Sequence, residues 1–174
     1  MVALLDLYEA FLRFMEAGGD VLWLILGTAI VLWTLLLERF WYVYLEFPRQ
    51  ERRALEQWRE REDHASWYAK QVRKAYVSDL RRRLNRGMSM INTLIAICPL
   101  LGLLGTVTGM IQVFDVMAAI GTGNPRAMAS GVSAATIPTM SGLVVALSGL
   151  FLERRLEHSI EVKVADANEA FATS

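Results

Sequence analysis

Between Gly87 and Phe114 the chain carries no charged residue. About 20 apolar residues suffice to carry a helix across a bilayer. This run is longer, so the helix is expected to protrude on one side. Its centre reads Cys98-Pro-Leu-Leu-Gly102-Leu-Leu-Gly105-Thr106-Val-Thr108-Gly109-Met110. Gly105 and Gly109 form a GxxxG pair and Gly102 adds a third small position, the pattern of a face that a neighbouring helix approaches closely in lipid. The polar atoms here are the hydroxyls of Thr106 and Thr108. Two readings are open: hydroxyls bonded back to their own helix on a packing face, or Thr106 on the lining of a narrow pore.

Two further long apolar runs flank this one, and 54% of the chain is hydrophobic. That exceeds an ordinary soluble domain. The clustering predicts an all-α membrane protein with three transmembrane helices. Residues 1–19 place Leu4, Leu5, Tyr8, Phe11, Leu12 and Met15 at helical spacing, with Asp6, Glu9, Arg13 and Glu16 mostly opposite. This is an amphipathic helix for the membrane interface, without the basic start of a cleaved secretory signal. Gly18-Gly19-Asp20 breaks it. The first span occupies residues 20–47. It ends in an aromatic belt of Phe40, Trp41, Tyr42 and Tyr44 and is expected to stop near Pro48. Glu38 and Arg39 sit beside the belt, either as charges snorkelling to the interface or with Glu38 facing a neighbouring subunit.

Residues 48–86 change character. Arg and Glu alternate with Trp58, Trp67, Tyr68, Val72, Tyr76, Leu80 and Leu84, of which the last five step by four as one helical stripe. Two helices with a break around Asp63-His64-Ala65-Ser66 are expected, as a solvated extension of the spans. Basic residues among aromatics can signal nucleic acid, but Glu51, Glu56, Glu60, Glu62 and Asp63 interrupt the positive charge, so no nucleic acid is expected. Residues 46–86 hold 12 of the 18 Lys and Arg residues, against Arg13 before the first span and Arg126 between the other two. Positive segments stay in the cytoplasm. The amino terminus is therefore placed outside and the carboxyl terminus in the cytoplasm.

The second span covers 87–120, with residues 87–95 expected beyond the lipid. Gly121-Thr-Gly-Asn-Pro125 opens a periplasmic turn over 121–126. The third span, 127–153, is rich in small and hydroxylated residues in its outer half, and a cytoplasmic helical tail follows over 154–174. Counted from the turn, Thr106 and Thr139 fall near one depth at the middle of the bilayer. Ser133, Thr136 and Thr139 share a face. Pro138 frees a carbonyl that hydroxyls can help satisfy. Between Gly87 and Leu152 the one carboxylate is Asp115, near the outer end, either as a proton funnel or as an interfacial helix-end residue. Intramembrane ionisable groups are costly and usually functional. A path through these spans would therefore need a carboxylate lent by a partner beside Thr106 and Thr139, its pKa raised by desolvation. The one cysteine, Cys98, allows no internal disulfide. His64 and His158 lack ligand spacing. Neither an enzyme, a metal nor a cofactor is expected.

Residues 88–155 resemble the ExbB/TolQ/MotA family of proton-channel subunits, most of all ExbB. The resemblance rests on Pro99-Leu-Leu-Gly-Leu-Leu-Gly-Thr-Val-Thr-Gly109 with Met110, Ile111 and Phe114, and on Gly131-Val-Ser-Ala-Ala-Thr-Ile-Pro-Thr-Met-Ser-Gly142-Leu. It implies a ring of this subunit, pentameric, in the bacterial inner membrane, with an ExbD-like single-span partner in the pore and a TonB-like protein receiving the motion. Thr106 and Thr139 match the pore threonines of the family's second and third helices. Thr136 and Asp115 join them on the expected pathway, while Gly102, Gly105, Gly109 and Gly142 are assigned to helix packing. The chain departs from the pattern at Ala134, where ExbB and TolQ usually carry Glu, which marks a divergent branch. A TolQ-like subunit for envelope constriction, a flagellar stator, usually with four spans, and a non-conducting membrane scaffold are the competing readings.

Overall fold

The computed structural model describes residues 2–59, 67–120 and 125–173. They are helical apart from a turn at Arg86-Gly87. Helix α1 runs Val2–Trp41, a π-helical turn covers Tyr42–Glu46, and α2 (Phe47–Arg59), α3 (Trp67–Asn85), α4 (Met88–Ile120) and α5 (Pro125–Thr173) follow. Three stretches, Leu5–Glu46, Lys70–Ala118 and Ala134–Phe171, contain helix long and apolar enough to cross a membrane. The break expected near 63–66 lies outside the described residues, as does most of the turn expected over 121–126.

Lipid offers no partner for a free N–H or C=O, which is why the spans are continuous helices. The interruptions fall where backbone chemistry demands them. Gly19 has φ 66° inside α1, separating the amphipathic segment from the first span. Gly87 has φ 84° at the corner between α3 and α4. Both values lie where a side chain is strained and glycine is not.

The chain does not stop at Pro48. A proline lacks an N–H and crowds the carbonyl four residues back. Here the preceding turn widens, and the Phe47 N–H bonds the Tyr42 carbonyl, five residues back. A π-turn of this kind takes up the misfit inside an otherwise continuous helix.

Contacts divide the chain into two compact units, Met1–Trp33 with Thr93–Gly149, and Thr34–Asn92 with Leu150–Ser174. In the first, Met15, Leu22 and Ile25 form a buried cluster with Val21, Leu26, Leu101, Ile137 and Val145 packed on it. Gly149 lies against both Leu32 and Ile95. Ile95 is thus level with a residue well inside the apolar run of α1. The apolar part of α4 therefore reaches further than a minimal 20-residue count from the outer turn places it.

In the second unit Val43, Phe47, Trp58, Leu80, Leu84, Leu156, Ile160 and Phe171 are buried. The Phe171 ring meets Trp58 edge-on and stacks on Tyr76, each with centroids 6.0 Å apart. Tyr44 hydrogen-bonds the Ser159 hydroxyl at 3.1 Å, and Lys163 Nζ lies 5.7 Å from the Tyr44 and Phe47 ring centres. The four-step stripe on α3 holds from Val72 to Leu84, but Tyr68 is exposed. Four steps of four residues turn a 3.6-residue helix by roughly 160°, so the two ends of that stripe face different sides.

Close packing makes the glycines unequal. A Cβ at Gly142 would lie 2.5 Å from the Cys98 carbonyl oxygen, whereas one at Gly27 meets nothing within 4 Å. Gly142→Ala is expected to cost about 1–3 kcal/mol through overpacking against backbone. Gly27→Ala is expected to be neutral or to gain up to about 1 kcal/mol of helix propensity. Thermal unfolding in detergent reads both, and equal effects would contradict the packing described.

Candidate functional site: the seam between α4 and α5

Helices α4 and α5 run antiparallel and meet along a ladder of small residues. From the carboxyl end of α4 towards its amino end, Val113 meets Gly131, Gly109 meets Ala135, Gly105 meets Pro138, Gly102 meets Thr139 and the Cys98 carbonyl meets Gly142. Ile95 against Gly149 closes it. From Ile95 to Val113 is about 27 Å at 1.5 Å per residue, close to the hydrocarbon thickness. A Cβ at Gly102 would lie 2.9 Å from the Thr139 Cα, and one at Gly109 would lie 2.7 Å from the Ala135 Cβ. Backbones this close require the missing side chains.

The hydroxyls along the seam bond backbone carbonyls. Thr139 Oγ1 donates across it to the Gly102 carbonyl at 2.8 Å. Thr106 Oγ1 donates within α4 to the Leu103 carbonyl at 2.7 Å. Thr108 donates to the Leu104 and Gly105 carbonyls, and Ser141 and Ser148 donate to carbonyls of α5. Thr139 is therefore level with Gly102, and Thr106 stands one turn, about 6 Å, nearer the carboxyl end of α4. Counting from the turn placed the two at one depth; the contact register sets them a turn apart. Thr136 lies on the exposed side of α5, on a stripe with Val132, Met140, Val144, Leu147 and Phe151. The structure thus joins Thr139 to Gly102 and Gly142 to Cys98, and leaves Thr136 on an open apolar face.

The charged candidates lie elsewhere. Asp115 is exposed towards the carboxyl end of α4. Glu38 is 62% exposed, 4.0 Å from Arg39, so it is not enclosed within this chain. Ala134 borders a cavity of about 290 Å³ in the first unit, lined also by Glu16, Asp20, Thr108 and Gln112. The Gly18-Gly19 break thus brings two carboxylates to the level of Ala134. Among the described residues no group of three His, Cys, Asp or Glu side chains could hold a metal ion.

One buried carboxylate escaped the reading of the sequence. Glu153 is 2% exposed, and its Oε2 has no hydrogen-bond partner among the described residues, with Arg154 Nε at 3.7 Å. The signal was present in the spacing. Gly142, Ala146, Gly149, Leu156 and Ile160 are the buried stripe of α5, and position 153 falls on it by alternating steps of three and four.

Three spans joined by helical extensions, with a small-residue seam between the last two, define a multi-pass helical membrane protein. Residues 47–169 match the model of the MotA/TolQ/ExbB proton channel family. The chain belongs to that family. Among curated proteins, a putative biopolymer transport protein ExbB-like 1 of Synechocystis is 45% identical over 78 residues, covering 42% of this chain and 30% of that protein. The biopolymer transport protein exbB1 of Vibrio cholerae is 34% identical over 97 residues, covering 49% of this chain and 42% of that one. A putative ExbB homolog of Methanothermobacter thermautotrophicus is 39% identical over 64 residues, 37% of this chain and 22% of the relative. The matched stretches thus span less than half of each relative.

Three substitutions test the polar accounting. Thr139→Val removes a hydrogen bond between helices and is expected to cost about 0.6–1.7 kcal/mol, whereas Thr106→Val removes a bond local to one helix and should cost less. Reversal of that order in detergent melts would place the shared bond elsewhere. Glu153→Leu is expected to leave stability unchanged or raise it by about 1–4 kcal/mol, because a buried polar group without full hydrogen bonding is replaced by an apolar one. A lower thermal midpoint would mean that the carboxylate has a partner in the assembly.

Proposed function

We propose that this chain is the wall-forming subunit of a proton-driven motor in the bacterial inner membrane. It is read as ExbB-like, with its amino terminus in the periplasm and its carboxyl terminus in the cytoplasm. The observation that carries the reading is the family match across α2 to α5. In the proposed assembly, copies of the chain form a pentameric ring with α4 and α5 towards the centre. A single-span, ExbD-like partner occupies the pore and a TonB-like protein transmits the motion to outer-membrane transport.

The chemistry of the spans supports a division of labour. From Thr93 to Gly149 the ionisable residues are Cys98, Asp115 and Arg126, and none is a carboxylate near the level of Thr139. Threonine hydroxyls hold or pass a proton but do not store charge at neutral pH. The titrating acid is therefore assigned to the partner. Neutral, its carboxyl slides past the apolar lining; ionised, it is held at Thr106, Thr136 and Thr139. Without the partner, an apolar pore stays closed by dewetting. Asp115 is proposed as a collecting charge at the outer mouth. That Thr106, Thr108, Thr139, Ser141 and Ser148 bond backbone carbonyls favours a second reading, a passive scaffold in which they serve packing alone.

Proteoliposomes separate the two. The chain purified with its single-span partner is expected to pass protons down an imposed gradient, and the chain alone is not. Thr106→Val and Thr139→Val are each expected to reduce flux at least tenfold while native mass spectrometry still finds the ring. Undiminished flux in both variants, or no flux with the partner present, supports the scaffold instead.

A further inference from the structure

The last two turns of α3 carry a positive face that the channel reading does not use. Ser78, Arg81, Arg82 and Asn85 recur at spacings of three and four, so they share one side of the helix, and Arg86 follows in the turn after it. The other side holds Leu80 and Leu84, both buried. With Arg83 these five residues line an open pocket of about 700 Å³. Arg83 is tied to Asp79 at 2.8 Å, and the Asn85 amide donates to the Arg81 carbonyl at 3.0 Å. Arg81, Arg82 and Arg86 are exposed and make no ion pair among the described residues.

That is an unusual local excess in a chain with 18 basic and 18 acidic residues. Arg13, Arg83 and Arg154 each have an acid one turn away. Here Arg82 and Arg86 line one pocket with like charge, which is unfavourable without a counter-ion. An anion between them would reverse the sign of that interaction.

The level of the pocket identifies the anion. A Cβ on Gly87, the residue after Arg86, would lie 3.1 Å from the Arg39 Nε, and the Arg39 guanidinium lies 5.6 Å from the centre of the Tyr42 ring. Arg86 is therefore level with the belt of Phe40, Trp41, Tyr42 and Tyr44, of which Trp41 is 69% exposed. Exposed Trp and Tyr at the end of a span mark the headgroup layer. Arg82 lies one turn, about 6 Å, further from the hydrocarbon.

We propose that Arg81, Arg82 and Arg86, with the Ser78 hydroxyl, form a binding site for the phosphodiester headgroup of an anionic glycerophospholipid in the leaflet at this end of the spans. Basic pockets beside membrane helices bind such headgroups through charge-assisted bonds to phosphate oxygens. The site anchors the corner between α3 and α4 to the membrane surface. It stands independently of the channel reading.

The full-length protein is placed in nanodiscs of phosphatidylcholine with or without phosphatidylglycerol, and retained lipid is counted by native mass spectrometry after release. Wild type is expected to retain phosphatidylglycerol in preference to phosphatidylcholine. Arg82→Gln/Arg86→Gln is expected to weaken that retention about thirtyfold, from the contribution of two interfacial basic residues. Arg82→Lys/Arg86→Lys is expected to keep part of it. Arg52→Gln/Lys70→Gln, which removes the same charge from outside the pocket, is expected to retain the wild-type preference. No preference in wild type, or equal loss in the control pair, would overturn the proposal. So would displacement of the lipid by millimolar inorganic phosphate, which would mark a site for a soluble anion.

Discussion

Close approach of two backbones inside lipid is what the rest of this structure depends on. Hydrophobicity cannot hold α4 to α5 where the solvent is itself hydrocarbon, so contact area and internal hydrogen bonds must. Glycine or alanine on one side at each rung from Val113 to Ile95 lets main-chain atoms meet main-chain atoms. Thr139 then reaches the Gly102 carbonyl directly. A larger residue at Gly102 or Gly142 would push the helices apart and break that bond. The apolar contacts and the polar one are therefore not separable contributions.

The same alternation of three and four steps carries each long helix from the apolar zone into its charged extension. On α5 it passes from Gly142 through Gly149 and Glu153 to Leu156, Ile160, Ala167 and Phe171. What changes along it is the residue size and not the period. Small residues suit the zone where helices must touch in lipid, and large ones suit the extension, where burying Trp58 and Phe171 from water contributes on the order of 2–3 kcal/mol per side chain. One helix thus serves two solvents by changing what fills an unchanged stripe.

Much of this was legible from residue order. Runs without charge give the spans, because lipid excludes charge and enforces helix. Gly18-Gly19 marks a break, since Gly19 adopts a left-handed φ. Less legible were features that depend on what a neighbour offers. Pro48 reads as a stop, yet a π-turn upstream carries the helix past it. Thr106 and Thr139 look equivalent as hydroxyls in two spans, but one bonds its own helix and the other crosses to its neighbour. Depth counted from a turn assumes a minimal span, whereas the contact of Gly149 with Leu32 and Ile95 fixes register directly. Glu153 was hidden by composition, because charge suggests solvent, although its position in the stripe points inward.

Under the proposed function, the distribution of ionisable groups bears on how a wall subunit would serve a proton motor. A carboxylate fixed in the wall beside Thr139 would bring its desolvation cost to every copy of the chain, whether or not work is being done. A carboxylate on a separate helix brings that cost once per guest, and only while the guest is in place. The wall then needs no more than hydroxyls to soften the passage. Several hydroxyls of this seam are already bonded to carbonyls, and a hydroxyl that donates one bond still has lone pairs to accept another. Thr106 and Thr139 can therefore keep their helices satisfied and still accept a proton-bearing group. In such an arrangement the ground state is well packed without the acid, and the acid need not displace a structural bond to enter it.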